Sequence, residues 1–232
     1  RGRLAAAARD LYLDEGESAV TFRRIAERIG LSHTLPYRYF DDKEALLAQV
    51  RTECMAHFEA FIRARDPLAA GPLARVHAIG SAYVDYVTRY PSHYRLIFAT
   101  DQPPPDRYPQ LLAARQRLFD HVMGAVRGCI EAGLVQGDAR VVTHTFWITM
   151  HGLLTLHVAN QLVHGCNLQQ LARSLLENLF GPAPATRRAP RKAWNGVAAA
   201  SDSRARGPRA STHFAPVRSA SGATSRSRRA WY

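Results

Sequence analysis

Along the first 180 residues apolar positions recur three and four apart, and no segment alternates with the period of two that marks a strand. A first helix is predicted over Leu4–Gly16. Thr21 then caps a short helix carrying Phe22, Ile25, Ala26 and Ile29, and Gly30 ends it in the left-handed conformation that only glycine enters cheaply. Leu31 anchors a tight turn, and Ser32 is placed to cap a second short helix running to about Tyr39. Asp41 and Glu44 form a capping-box-like start to a longer helix over Glu44–Ala64, with Ala45, Leu46, Leu47 and Val50 on its inner face. Breaks at Asp66-Pro67 and Gly71-Pro72 precede a helix over Leu73–Tyr90 that Pro91 stops. A short helix over Tyr94–Phe98 follows, ended by the run Pro103–Pro105. Gln110–Ala132 with Gly133 behind it, a helix capped by Asp138, and a last one from about Leu168 to Phe180 complete an all-α reading.

Two short helices across a tight turn, followed by a capped third, are the layout of a helix-turn-helix, whose second helix enters the DNA major groove. The residues that carry this layout are LAAAARDLYLDEG at Leu4–Gly16, the run SAVTFRRIAERIGLS after it, and the corner Tyr37-Arg38-Tyr39-Phe40 leading to Asp42-Lys43-Glu44-Ala45-Leu46. Over roughly the first fifty residues this block resembles the DNA-binding domain of the TetR family of bacterial transcriptional regulators. One departure is Pro36, where the family usually has an aliphatic residue before the tyrosine. As the fourth helical residue it forfeits at most one marginal backbone bond, so the helix is expected to survive with an altered entry.

The resemblance implies a division of labour. Arg23, His33, Thr34 and Leu35 lie where family members touch base edges, Arg as a fork onto guanine and Leu as apolar contact with a thymine methyl. Thr21, Tyr37, Tyr39 and Lys43 would hold phosphates and set register, and Arg38 fits either role. Phe22, Phe40 and Leu46 read as core.

A second distinctive feature is an absence, since Val141 to Ala172 contains no Asp, Glu, Lys or Arg. Histidines, Asn160, Gln161 and several threonines on different faces argue against a membrane span, because a lone helix in lipid gives them no partners. Burial against a second copy answers better: a two-fold dimer, with Leu171, Leu175, Leu176 and Leu179 of the last helix completing a four-helix interface. Trp147, His151 and Gly152 resemble the Trp-His-Gly signature of one C-terminal ligand-binding domain type in the TetR family, and Tyr94–Phe98 fits that type. Ordinary packing explains these three as well as ligand contact does. The family's effector pocket lies in this domain, and the candidate lining set is Tyr83, Tyr86, Phe98, Phe119, Met123, Trp147 and His151. This aromatic set suits an apolar or flat aromatic effector, although each residue alone fits a core role.

Charge changes the picture only by region. The chain carries a formal net charge of +12, but residues from Gly181 onward hold 11 Arg or Lys and one acid, so the preceding part is near neutral. Recognition must therefore rest on placed residues rather than a general positive field. The Ala-, Arg-, Ser- and Pro-rich tail, 182–232, is expected to be disordered. It reads as a solvated extension or as a salt-dependent electrostatic arm, and composition favours the first.

The expected organisation is a helix-turn-helix domain over 1–50, a helical effector-binding and dimerisation domain over 51–181, and the tail. Cys54, Cys129 and Cys166 are scattered without metal-type spacing, which fits a reducing cytoplasm. His144/His151 and His157/His164 leave room for a metal or proton switch, but no metal or cofactor is expected. No phosphate-binding glycine loop, zinc-protease helix or serine elbow is present, and no signal peptide is visible. The favoured function is a ligand-responsive, homodimeric regulator, a repressor that leaves its palindromic operator when an effector binds. The alternatives are a helical enzyme with a degenerate helix-turn-helix, or a nucleic-acid binder acting through the tail.

Overall fold

The computed structural model describes residues 1–98 and 102–184, which contain eight α-helices and no strand. In chain order these are α1 (Gly2–Glu15), α2 (Phe22–Arg28), α3 (Lys43–Arg63), α4 (Pro72–Arg89), α5 (Pro91–Ile97), α6 (Pro109–Glu131), α7 (Ala139–Val158) and α8 (Leu168–Phe180). The tail reading concerns residues 182–232, of which 185–232 lie outside the described residues.

Local chemistry accounts for most boundaries. The Thr21 side chain accepts from the Arg24 N–H and starts α2. Gly30, at φ 65°, ends it in a Schellman arrangement: Leu31 N–H reaches the Ala26 carbonyl and Gly30 N–H that of Glu27. Gly133 and Asn160 close α6 and α7 with the same pair of bonds. Asp138 caps α7, and Asn167 with Gln170 forms a reciprocal capping box at α8. Pro72, Pro91 and Pro109 each begin a helix, at the position where a missing N–H costs nothing.

Two expectations at the helix-turn-helix are corrected. The cap of α3 is Asp42, whose carboxylate accepts from Ala45 N–H at 2.7 Å, and Asp41 is exposed outside the helix. The stretch after Ser32 is not an α-helix either. Residues 33–35 form a turn, and Pro36–Arg38 is a single 3-10 turn. Pro36 has no N–H to give the Ser32 carbonyl, which accepts instead from Leu35 at 3.0 Å, and the ladder tightens to i→i−3 bonds through Arg38 and Tyr39.

In the N-terminal part Leu4, Ala8 and Leu11 of α1 close on Leu46, Leu47 and Val50 of α3, with Phe22, Ile25 and Phe40 completing the cluster. The alanines of α1 let the helices approach closely. The 21 residues of α3 give it a length of roughly 32 Å, so one helix serves both parts of the fold. Its second half, through Cys54, Met55, Phe58 and Ile62, packs on α4 and α6. The fully buried Asp66 carboxylate holds the α3–α4 turn through Arg75, with two contacts of 3.0 and 2.8 Å.

The last helices pack as α6 on α7 and α7 on α8, with α8 also lying across α4. Leu176 is a correction to the dimer expectation. It is 4 % exposed within the protomer and covers Gly80 of α4, where a Cβ would lie 2.6 Å from its nearer methyl. Leu171, Leu175 and Leu179 remain half-buried at the rim of that packing. Among the described residues no helix is long and apolar enough to cross a membrane.

Candidate nucleic-acid interface and ligand cavity

Residues 1–50 hold as many acidic as basic side chains, eight of each. Pairing removes several acids from play. Arg24 forms two hydrogen bonds with Glu15, at 2.9 and 2.6 Å, and Arg28 reaches Asp14 at 2.8 Å. These contacts bind α2 to the end of α1, and the Arg24 hydrogen bond holds the Glu15 carboxyl below its ordinary range. Asp42 and Glu44 are occupied by Arg107, at 3.2 and 2.8 Å.

What remains outward around the turn is the set singled out by sequence. Arg23 projects into solvent with its side chain 80 % exposed, paired to Glu27 one turn on at 2.9 Å. His33, Thr34 and Arg38 are exposed and Leu35 is half-buried; Thr34 Oγ1 shares a 3.0 Å hydrogen bond with Ser32. Tyr37 is 66 % exposed, its ring held edge-on to Phe22 at 4.7 Å, and Tyr39 is also exposed. Lys43 donates from Nζ to the Glu17 carbonyl at 2.9 Å, which draws the α3 start toward the end of α1. Thr21 spends its side chain on the α2 cap. The loss of the α-helix at 33–38 means that these side chains are presented from a turn braced by buried Pro36 and Phe40.

The C-terminal helices enclose a cavity of about 420 Å³ between α3, α4, α6 and α7. That is within the range of about 300–1,000 Å³ of small-molecule sites. Of the candidates, Tyr83, Phe98, Phe119, Trp147 and His151 line it; Tyr86 and Met123 do not. Phe58 stacks on the Tyr86 ring at 4.4 Å and takes that place in the wall. The Tyr86 hydroxyl instead donates to the Cys54 carbonyl and lies 3.2 and 3.3 Å from Nδ1 of His57 and His93. Met123 is buried in α6, one residue past the wall residue Val122.

Outside the set expected from sequence, Met55, Phe58 and Ile62 of α3 and the polar residues Gln102, Arg115, Gln116, Arg140 and His144 also line the wall. A signal for Arg115 existed. It shares one face of α6 with Leu112, Phe119 and Val122, a cation in an apolar stripe. Two hydroxyls behave differently at the inner end. Tyr94 sits 2.8 Å from His151 Nδ1 and 3.1 Å from Thr155 Oγ1, and burial pushes it up to about 12. Tyr83 is equally enclosed, and its hydroxyl has no hydrogen-bond partner of normal geometry. Burial also keeps His151 below its ordinary value, so the imidazole is neutral at pH 7.

An uncharged stripe of α7 faces outward. Val141, Ile148 and Leu156 are exposed there, 63, 62 and 48 % respectively, with Thr145 and Gly152 between them at helical spacing. A Cβ on Gly152 would meet nothing within 4 Å. Among the described residues no group of His, Cys, Asp or Glu is placed to hold a metal ion.

Comparison with known proteins agrees with both halves. Residues 4–50 match the family model for bacterial regulatory proteins of the tetR family, and residues 76–179 that for the tetracyclin repressor-like C-terminal domain. The HTH-type transcriptional activator FasR of Mycolicibacterium smegmatis is 26 % identical over 160 residues, covering 68 % of either chain. The HTH-type transcriptional regulator Rv1816 of Mycobacterium tuberculosis is 27 % identical over 135 residues, 56 % of this chain and 55 % of that protein. In fold, the chain is similar to a protein of unknown function from Rhodococcus sp. RHA1, with TM-score 0.68 and 23 % identity over 79 % of this chain and 95 % of that one. It is likewise similar to FadR from Bacillus subtilis, solved in complex with stearoyl-CoA, with TM-score 0.63 and 18 % identity over 78 % of this chain and 98 % of that one.

Proposed function

The chain belongs to the tetR family of bacterial regulatory proteins, and from that premise we propose that it is a repressor which binds a palindromic operator as a homodimer and leaves it when an effector fills the cavity. As a ligand-responsive DNA-binding regulator it has no catalytic site to seek. The observation that carries the proposal is the double duty of α3. Its first residues are capped inside the DNA-binding part, and its later residues Met55, Phe58 and Ile62 form cavity wall. A ligand pressing on Phe58 acts on the same rigid rod that carries Lys43 and braces the reading turn. Arg107 supports a second route, because the segment leading from Gln102 at the cavity into α6 grips Asp42 and Glu44 at the α3 start.

Two copies joined through the bare α7 stripe and the α8 rim would bury Ile148 and Leu156 against their equivalents and use the open space at Gly152. The two turns would then face successive major grooves, about 34–36 Å apart, and the effector would favour a spacing that misses them. In this reading Arg23, His33, Thr34 and Leu35 meet bases, while Thr21, Tyr37, Tyr39 and Lys43 hold phosphates; Arg38 serves either. Glu27 competes for Arg23 in the free protein and releases it to the DNA.

Selection of bound fragments followed by fluorescence anisotropy tests the proposal. Arg23→Ala should weaken binding to the selected inverted repeat on the order of 10- to 100-fold with little effect on scrambled DNA. Lys43→Ala should weaken both about equally. A monomeric protein, or one that shows no preference for any inverted repeat, refutes it.

A further inference from the structure

Among the described residues, the cavity wall carries cations and no acid. Arg115 and Arg140 line it, and no Asp or Glu does among the described residues. Arg140 is exposed at the start of α7, but Arg115 is half-buried on α6 between Leu112 and Phe119. Its guanidinium donates to the neutral side-chain oxygen of Gln102 and meets no carboxylate among the described residues. Burial, and secondarily the positive field of Arg51, pull its pKa down, yet a guanidinium in a protein stays charged. A cation withdrawn from water with only a neutral partner leaves a desolvation cost that an incoming anion would offset.

Tyr83 on α4 contributes its ring to the wall, but its hydroxyl is closed off and turned toward Tyr94 and Trp147, so it is not open to a ligand. The wall is otherwise mostly apolar, with Phe58, Phe98, Phe119 and Trp147 in it.

We propose that the cavity binds a hydrophobic organic acid, its anionic head held by Arg115 and its body by the apolar wall. This rests on the effector reading of the cavity and narrows it to one chemical class. A neutral flat aromatic compound, which the lining set alone would suit, leaves the guanidinium unanswered.

Calorimetric titration with decanoate and methyl decanoate tests the contact. Wild type should bind decanoate on the order of tenfold or more tightly than its uncharged ester. Arg115→Met should erase that preference, Arg115→Lys should restore part of it, and Phe119→Ala should weaken acid and ester alike. Thermal unfolding of each variant checks that it folds. Equal affinity for acid and ester, unchanged by Arg115→Met, overturns the anion contact and leaves the effector cavity standing. Failure of every probe to bind a protein that still prefers its inverted repeat condemns this inference without touching the regulator reading.

Discussion

Replacing Gly80 with alanine adds one methyl to a helix crossing that has no room for it. Gly80 lies inside α4, and the new Cβ would stand 2.6 and 2.8 Å from the two methyls of Leu176 on α8. Carbon atoms rest about 3.5–4.0 Å apart, so Leu176 must retreat by about 1 Å. Two effects compete. Alanine is the better helix former by about 1 kcal/mol. Overpacking a filled core costs about 1–3 kcal/mol, and Leu176 is 4 % exposed with both methyls and its Cγ, at 3.2 Å, in the way. The packing term wins, and the net loss should be about 1 kcal/mol, or a fall of about 2–4 °C in Tm for a domain of this size. Circular dichroism melts at one protein concentration measure it, since association would otherwise shift the midpoint. Leu176→Ala alone should cost about 2–5 kcal/mol through the hole it leaves. When Gly80→Ala is combined with it, the added methyl fills part of that hole, so the double variant should be more stable than the two losses predict, by about 1 kcal/mol or more. A Tm for Gly80→Ala at or above wild type, or additivity within about 0.5 kcal/mol, refutes the close crossing of α4 and α8.

Other outcomes rest on single groups. Pro36→Ala returns an N–H below the Ser32 carbonyl, so amide exchange should show a newly protected proton at position 36; rapid exchange there would mean that Pro36 does not set the 3-10 turn. His93, His121 and His151 all have pKa values lowered from 6.5 chiefly by burial, so the unfolded chain takes up more protons as pH drops. Their contribution is fully present above pH 6.5 and is lost below it. The urea midpoint should therefore fall between pH 7.5 and 5, above the range where Glu15 and Glu27 act, and a flat or rising midpoint contradicts this. Native alkylation at pH 8 should mark exposed Cys166 and spare Cys54, whose thiol burial pushes up to about 12, along with buried Cys129; mass spectrometry of the three peptides decides.

Sequence by itself determined what depends on neighbours a few residues away. Helical periodicity located each α-helix of the described residues but also predicted one after Ser32 that is a 3-10 turn, and the caps Thr21, Gly30, Gly133 and Asp138 were readable because a cap is a contact across three or four residues. The same local reasoning failed where two local choices were nearly equal. Asp41 and Asp42 both suit a cap, and in the fold it is the Asp42 carboxylate that meets the Ala45 N–H. The turn at 33–38 went to 3-10 geometry because a short segment could not make up for one missing donor. Tertiary structure alone decided which side of each buried helix faces empty space. Tyr83 and Tyr86 are both buried aromatics on α4, and Phe58 of α3 touches both rings, at 4.9 and 4.4 Å, yet only Tyr83 reaches the cavity. Leu176, expected at a partner's surface, covers Gly80 instead, whereas Ile148 and Leu156 are exposed. Periodicity tells which residues avoid water, but what covers them is settled by packing between segments far apart in the chain.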